Sequence, residues 1–278
     1  MAPYLAVDNI FSVRQYPGHT IAATEEPSGN EAFRVADGRR SSFDYATSTT
    51  PNSEWSVTCT ADQVRAVTFV ALDRGHNLAG KRVIYEVSND NFTTVETVFD
   101  ISALPANPGA GSLDDALGVV TDEGAWLKRV SVRFGLYHRL RIPAMGAGLK
   151  PVIVGLWAGT GWAPSVFGLP KQENRARLAG QVSVSEAGWM GAGAMTRQRV
   201  GTLHFKLTSL FEYEELRRHL EENYGRHRPM WIVHDDEEAQ RAVLATIPQE
   251  FVGLDRRTAD WFYGSGEIPW TEHEPRRD

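Results

Sequence analysis

The residues able to do chemistry in this chain are scattered rather than grouped. There is one cysteine, Cys59, which alone can neither close an intrachain disulfide nor build a zinc site. It lies in Trp55-Ser-Val-Thr-Cys-Thr, where strand alternation puts it on the face of Trp55 and Val57. The expectation is therefore a buried core thiol, not a nucleophile. The eight histidines show no metal-ligand spacing. His227 and His234 flank one apolar run, and His234-Asp-Asp-Glu-Glu reads as a solvated acidic turn rather than a cation site. No Gly-x-Ser-x-Gly elbow is present. The glycine clusters at 109–111, 146–148 and 188–193 do not lead into expected helices, so no phosphate cradle is expected. A glycosidase would need two carboxylates across a cleft, and spacing along the chain does not pair distant acids. No catalytic, cofactor-binding or metal-binding residue is assigned, no cofactor is expected, and ligand-binding residues are not legible.

Composition narrows the classes further. The chain has 278 residues, is 42% hydrophobic and carries a formal net charge of −6. A net-acidic surface is poorly suited to gripping phosphate backbones, so no nucleic-acid partner is expected. No apolar run is long enough to span a bilayer, so no membrane insertion is expected. The start, Met-Ala-Pro-Tyr-Leu-Ala-Val-Asp, lacks a basic region followed by a long apolar one. No signal peptide is expected, and synthesis is placed in a cytoplasm.

The elements that would position any site are short strands. Residues Val64–Leu72, 82–87, 93–99, Leu127–Leu136, His138–Ile142 and Val152–Trp157 read as strands, with Gly135 marking a bend or a bulge between two of them. Residues 102–124 read as a long surface loop with a short helix at 113–117. After a Gly/Pro-rich stretch around 162–170, residues 178–185 and 199–207 read as strands about a glycine-rich tip, Gly188–Gly193. Ser209-Leu-Phe-Glu212 is a capping box, and Tyr213, Leu216, Leu220 and Tyr224 form one apolar stripe, giving a helix that ends at Gly225. Residues 229–234 read as a buried strand, and 239–247 fit either helix or strand. Residues 251–254 and 259–263 read as closing strands, and 271–278 as a loose tail. Trp157 and Trp162, beside the expected boundary, read as domain-interface residues.

The first half resembles a discoidin-like, galactose-binding-like jelly roll. The residues that carry the likeness are Asn30-Glu-Ala-Phe-Arg-Val-Ala-Asp37-Gly38, Trp55-Ser-Val, the strand 64–72, Gly80, and Val83-Ile-Tyr-Glu-Val-Ser88-Asn-Asp90-Asn-Phe92-Thr. The late strands His138-Arg-Leu-Arg-Ile and Pro151-Val-Ile-Val-Gly-Leu-Trp look like the family's final pair. The resemblance implies a loop-borne site for glycans, lipids or proteins. It also makes Asp37 the position most like a family calcium ligand, although Asp37-Gly38 alone reads as a tight turn. The second half resembles a bacteriophage tail split-barrel domain through its order of strands, capped helix, Arg228-Pro-Met-Trp-Ile-Val, acidic turn and final Trp261-Phe-Tyr. Distal tail proteins place these two units in the opposite order.

The fold expected is mainly β: an N-terminal jelly-roll β-sandwich (1–163), a linker (164–170) and a C-terminal split-β-barrel-like α+β domain with one main helix (171–278). The leading functional expectation is a non-enzymatic structural component of a phage tail tip or baseplate, located in the virion. Its partners would be other tail proteins, in a homo-oligomeric ring, with a tail fibre or host surface glycan as a further one. Trp189, Met190 and Met195 at the glycine-rich tip fit subunit contacts or an ordinary hairpin equally well. The alternative is a soluble carbohydrate-binding, lectin-like protein.

Overall fold

The computed structural model describes residues 4–6, 8–36, 45–73, 75–104, 126–146, 148–162, 175–179, 182–184, 190–192, 196–206, 214, 229–233, 243–246 and 265–272. In chain order the strands are β1 (Tyr4–Ala6), β2 (Thr20–Ala23), β3 (Ala46–Thr47), β4 (Trp55–Leu72), β5 (Val83–Ser88), β6 (Glu96–Ile101), β7 (Trp126–Ile142), β8 (Val152–Ile153) and β9 (Leu156–Gly159). They continue as β10 (Gly161–Trp162), β11 (Arg175–Ala179), β12 (Val182–Val184), β13 (Met190–Ala192), β14 (Thr196–Lys206), β15 (Met230–Val233), β16 (Val243–Thr246) and β17 (Ser265–Glu272). A 3-10 helix at Ala32–Ala36 precedes β3.

Two long strands, β4 and β7, organise the first half. Their antiparallel ladder runs from Trp55–Ile142 to Leu72–Trp126 and shifts register twice, between Thr60 and Arg65 and between Val67 and Phe69. Such bulges bend a strand and increase its twist. Before the bend, the order β2-β4-β7-β5-β6 makes a five-stranded sheet. After it, β9 pairs with β4 at Phe69–Gly159 to Leu72–Leu156, making a three-stranded β9-β4-β7 sheet. The two sheets close on one core that includes Trp55, Val57, Cys59, Val70, Leu72, Tyr85, Val87, Trp126, Leu140 and Leu156. This is a jelly-roll-like sandwich.

Burial explains why the strands look as they do in sequence. From Trp55 to Ala61, buried and half-buried residues alternate because one face meets solvent. From Phe69 to Leu72 every residue is buried, as is every residue of β9. Val70 and Leu72 point into the sandwich core. Phe69, Ala71, Leu127 and Trp157 point the other way and pack on Tyr4, Ala6, Trp231, Val233 and Leu244. The three-stranded sheet is thus the middle of three β layers.

The third layer is a seven-stranded sheet in the order β10-β1-β15-β16-β17-β14-β11. Its membership crosses the expected boundary at residue 163. β1 sits between Leu5–Trp162 on one side and Leu5–Ile232 on the other. Trp157 meets Trp231 edge-on with ring centres 6.5 Å apart, so an expected interface tryptophan does join the two sheets.

Several expectations need correcting. Residues 127–142 form one strand rather than two; Gly135 pairs with Arg65 where the first register shift ends, so the irregularity beside it is a bulge inside a continuous ladder. The first long strand begins at Trp55, nine residues before the expected Val64. Residues 152–157 divide into β8 and β9, with Val152–Ile153 pairing to β3 and Leu156–Gly159 to β4. The expected strand 178–185 divides into β11 and β12. The glycine-rich tip carries β13, which pairs to β12 from Val182–Ala192 to Val184–Met190. Residues Thr271 and Glu272, placed in a loose tail, belong to β17 and pair with β16. The ambiguous segment 239–247 contains a strand, β16. The helix at 209–225 lies outside the described residues apart from Glu214, which is helical and exposed. The short helix at 113–117, the linker 164–170 and the strands at 251–254 and 259–263 also lie outside them.

Candidate functional site

The outer face of the five-stranded sheet is where exposed polar chemistry gathers. Cross-strand pairing sets it in rows: Thr60–Tyr137–Ser88, then Thr58–Arg139–Glu86, then Ser56–Arg141–Ile84. Inward alternation of Val57, Cys59, Leu140, Tyr85 and Val87 into the core forces these residues outward.

Glu86 anchors the face. Its side chain is only 3% exposed and takes Arg139 on one oxygen (Nη2 2.7 Å, Nε 2.8 Å) and Arg141 on the other (Nη2 2.8 Å, Nε 3.2 Å). Burial pushes its carboxyl up, but the hydrogen bonds from Arg141 and Arg139 outweigh that and hold it below the ordinary carboxylate value. Arg141 also donates through Nη1 to Glu54 at 3.1 Å. At the far edge Arg82 meets Asp100 through two bonds, 2.9 and 2.5 Å. The cations of this face are matched within it.

An aromatic pair stands on the same rows. The Arg139 guanidinium lies 4.0 Å from the centre of the Phe92 ring, and Tyr137 is 6.0 Å from that ring. Phe92 sits in the left-handed region, with φ 62°, after Asn91 at φ 54°. That conformation is uncommon for a bulky residue and costs on the order of 1–3 kcal/mol. The turn that imposes it is fully tied. Ser88 Oγ accepts from the amides of Asp90 (3.1 Å) and Phe92 (2.9 Å) and donates to Asp90 Oδ1, which accepts from Thr94 N at 2.8 Å. Phe92, Tyr137 and Arg139 are each partly exposed. The product is a fixed aromatic surface beside oriented donors, the combination that orients small polar ligands.

A second constellation runs from the buried Cys59 and His19 out to the exposed Asp62. Cys59 Sγ is 3.7 Å from His19 Nδ1, and His19 Nε2 is 3.1 Å from Asp62 Oδ1. The order thiol, imidazole, carboxylate matches that of a nucleophilic triad. The setting opposes activation. Cys59 is fully buried, its thiol donates to the Ile10 carbonyl at 3.1 Å, and burial pushes it up to about 12. His19 Nδ1 meets the same carbonyl at 2.7 Å. The group ties residues 10–19 to β4, with Tyr16 stacked on His19 at 4.6 Å and Arg65 lying 4.2 Å over the Tyr16 ring. The core thiol expected from alternation is therefore found, together with two partners that spacing did not link to it.

Other expected positions fall elsewhere. Asp37 and the His234 acidic turn lie outside the described residues, as does the side-chain setting of Met190 and of Trp189 and Met195. Among the described residues no three His, Cys, Asp or Glu side chains converge on a metal position. No helix among them is long and apolar enough to cross a membrane. His138, buried opposite Cys59 in the β4–β7 ladder, links Tyr85 Oη (3.3 Å) and the Gly135 carbonyl (2.9 Å), and burial pushes it down to about 4.

No known protein family matches the chain, and no curated protein does. Solved structures with a partly similar backbone include carbohydrate-binding modules and fucosidases. One is chitosan-binding module 1 from a chitosanase/glucanase of Paenibacillus sp. IK-5, at 18% identity and TM-score 0.41, covering 55% of this chain and 99% of that one. Module 2 of that enzyme, in complex with chitotriose, matches at 12% identity and TM-score 0.41, covering 55% and 100%. A Clostridium perfringens module in complex with GalNAc-β-1,3-galactose matches at 14% identity and TM-score 0.38, covering 52% and 96%.

Proposed function

We propose that the chain is a non-catalytic carbohydrate-binding protein whose ligand lies on the outer face of the five-stranded sheet. One observation carries this reading: Phe92 is held in a strained backbone conformation beside Tyr137 and under an Arg139 that buried Glu86 holds in place. Sugars offer an apolar C–H face and a ring of hydroxyls. A fixed aromatic ring suits the first, and oriented guanidinium and hydroxyl groups suit the second. Thr58 and Thr60 extend the same rows with further hydroxyls. The test is glycan-array screening of the whole chain, followed by calorimetry with the best ligand. Phe92→Ala is expected to weaken binding at least tenfold without unfolding the protein. Unchanged affinity in a folded Phe92→Ala variant would remove the sheet face from consideration.

A second reading keeps the chain as an assembly component, such as a part of a virion tail. Its supporting observation is that, among the described residues, β11 lies at the edge of the seven-stranded sheet, where a neighbouring subunit could add a strand. Light scattering on the purified chain tests it. A closed ring at micromolar concentration supports assembly, and a monomer that binds glycan supports the first reading.

A further inference from the structure

We propose that Glu86 is the specificity-determining residue of this face: by occupying both guanidinium forks it reserves the surface for uncharged, hydroxyl-bearing sugars and excludes acidic ones. The inference rests on the carbohydrate reading and adds the ligand class to it.

Two arginines on neighbouring rows would ordinarily make a carboxylate or sulfate site, since each guanidinium presents a planar fork matched to such groups. Here both forks are spent. Glu86 takes Nε and Nη2 of Arg139 on one oxygen and Nε and Nη2 of Arg141 on the other. Glu54 takes Arg141 Nη1. A uronic acid or sulfated sugar could take the Nε–Nη2 fork of either arginine only by displacing a carboxylate that is 3% exposed; a single bond to Arg139 Nη1 would meet a guanidinium whose charge Glu86 already offsets. The displacement would leave Glu86 buried and uncompensated, which is strongly unfavourable. A hydroxyl needs no such exchange, because Arg139 Nη1 is engaged by none of these bonds and lies on the guanidinium stacked over Phe92. The carboxyl of Glu86, held below the ordinary value, stays ionised and keeps the forks closed throughout the neutral range.

The experiment titrates the wild-type chain with a neutral oligosaccharide and its uronate or sulfated counterpart, at about 20 and about 500 mM salt, a range over which screening strips exposed charge attraction. The neutral ligand is expected to bind with an affinity that changes less than about twofold with salt, while the acidic one binds at least tenfold more weakly. Glu86→Gln, which opens both forks, is expected to raise affinity for the acidic ligand about tenfold or more and to make it salt-sensitive. Glu54→Gln, at an exposed position, opens only Arg141 Nη1 and is expected to give a gain of about twofold to threefold, which keeps the test intact if Glu86→Gln does not fold. Tighter binding of the acidic ligand by the wild type would overturn the assignment of Glu86 while leaving carbohydrate binding standing. Absence of any binding to either ligand would overturn both.

Discussion

His138 and Cys59 show how one core treats two titratable groups. His138 is pushed down to about 4 chiefly by burial, below the ordinary value of 6.5. As pH falls, the unfolded chain takes up this proton first, so stability present above pH 6.5 is lost as pH drops toward 4. By pH 5 the loss is roughly 2 kcal/mol, at about 1.4 kcal/mol per unit. Urea denaturation at pH 7.5 and 5.0 should show that loss in the wild type and a smaller one in His138→Gln. Glu86 adds acid sensitivity of the same sign, but below the ordinary carboxylate range, so the pH 5–7.5 window reports the histidine. Cys59 is expected to resist a thiol reagent in the native protein and to react fully once urea unfolds it. Rapid labelling of the folded chain would contradict the burial that holds the thiol near 12.

At the scale of elements, the bent β4–β7 pair does most of the positioning. Beyond its bulges its two faces meet two different cores, Val70 and Leu72 in one and Phe69 and Ala71 in the other. Gly155 lies at the entry to β9, where an added Cβ would come within 2.6 Å of Asp73 Cβ. Gly155→Ala should therefore destabilise by about 1–3 kcal/mol through overpacking, measurable as a lowered urea midpoint. Trp231→Ala should cost about 3–5 kcal/mol, because the ring is fully buried between the middle and outer layers. An equal loss in cooperativity for both halves would mark the three layers as one unit.

Across the whole molecule, the first strand of the chain is an inner strand of a layer otherwise built from strands between Gly161 and Glu272. Removing residues 1–7 should strip Tyr4 and Ala6 from the Phe69, Ala71 and Trp157 face and leave the β1-facing edges of β10 and β15 unpaired. The expected result is aggregation or a lowered melting temperature, read by scanning calorimetry, rather than a cleanly folded jelly roll. Much of the β architecture was legible from the chain itself. Alternation in Trp55-Ser-Val-Thr-Cys-Thr predicts a core thiol, and turn residues at Ser88–Asn91 predict a hairpin, because both depend on neighbours close in sequence. Local pattern could not reveal that β1 crosses to the distant Met230–Val233, that His19 and Asp62 flank Cys59, or that Glu86, Arg139, Phe92 and Tyr137 share one surface. Those proximities come from strand register and from the bend in β4 and β7, which join residues separated by tens to hundreds of positions. Whether an apolar run such as Phe69–Leu72 faces one core or two was likewise decided only when a third sheet packed against it.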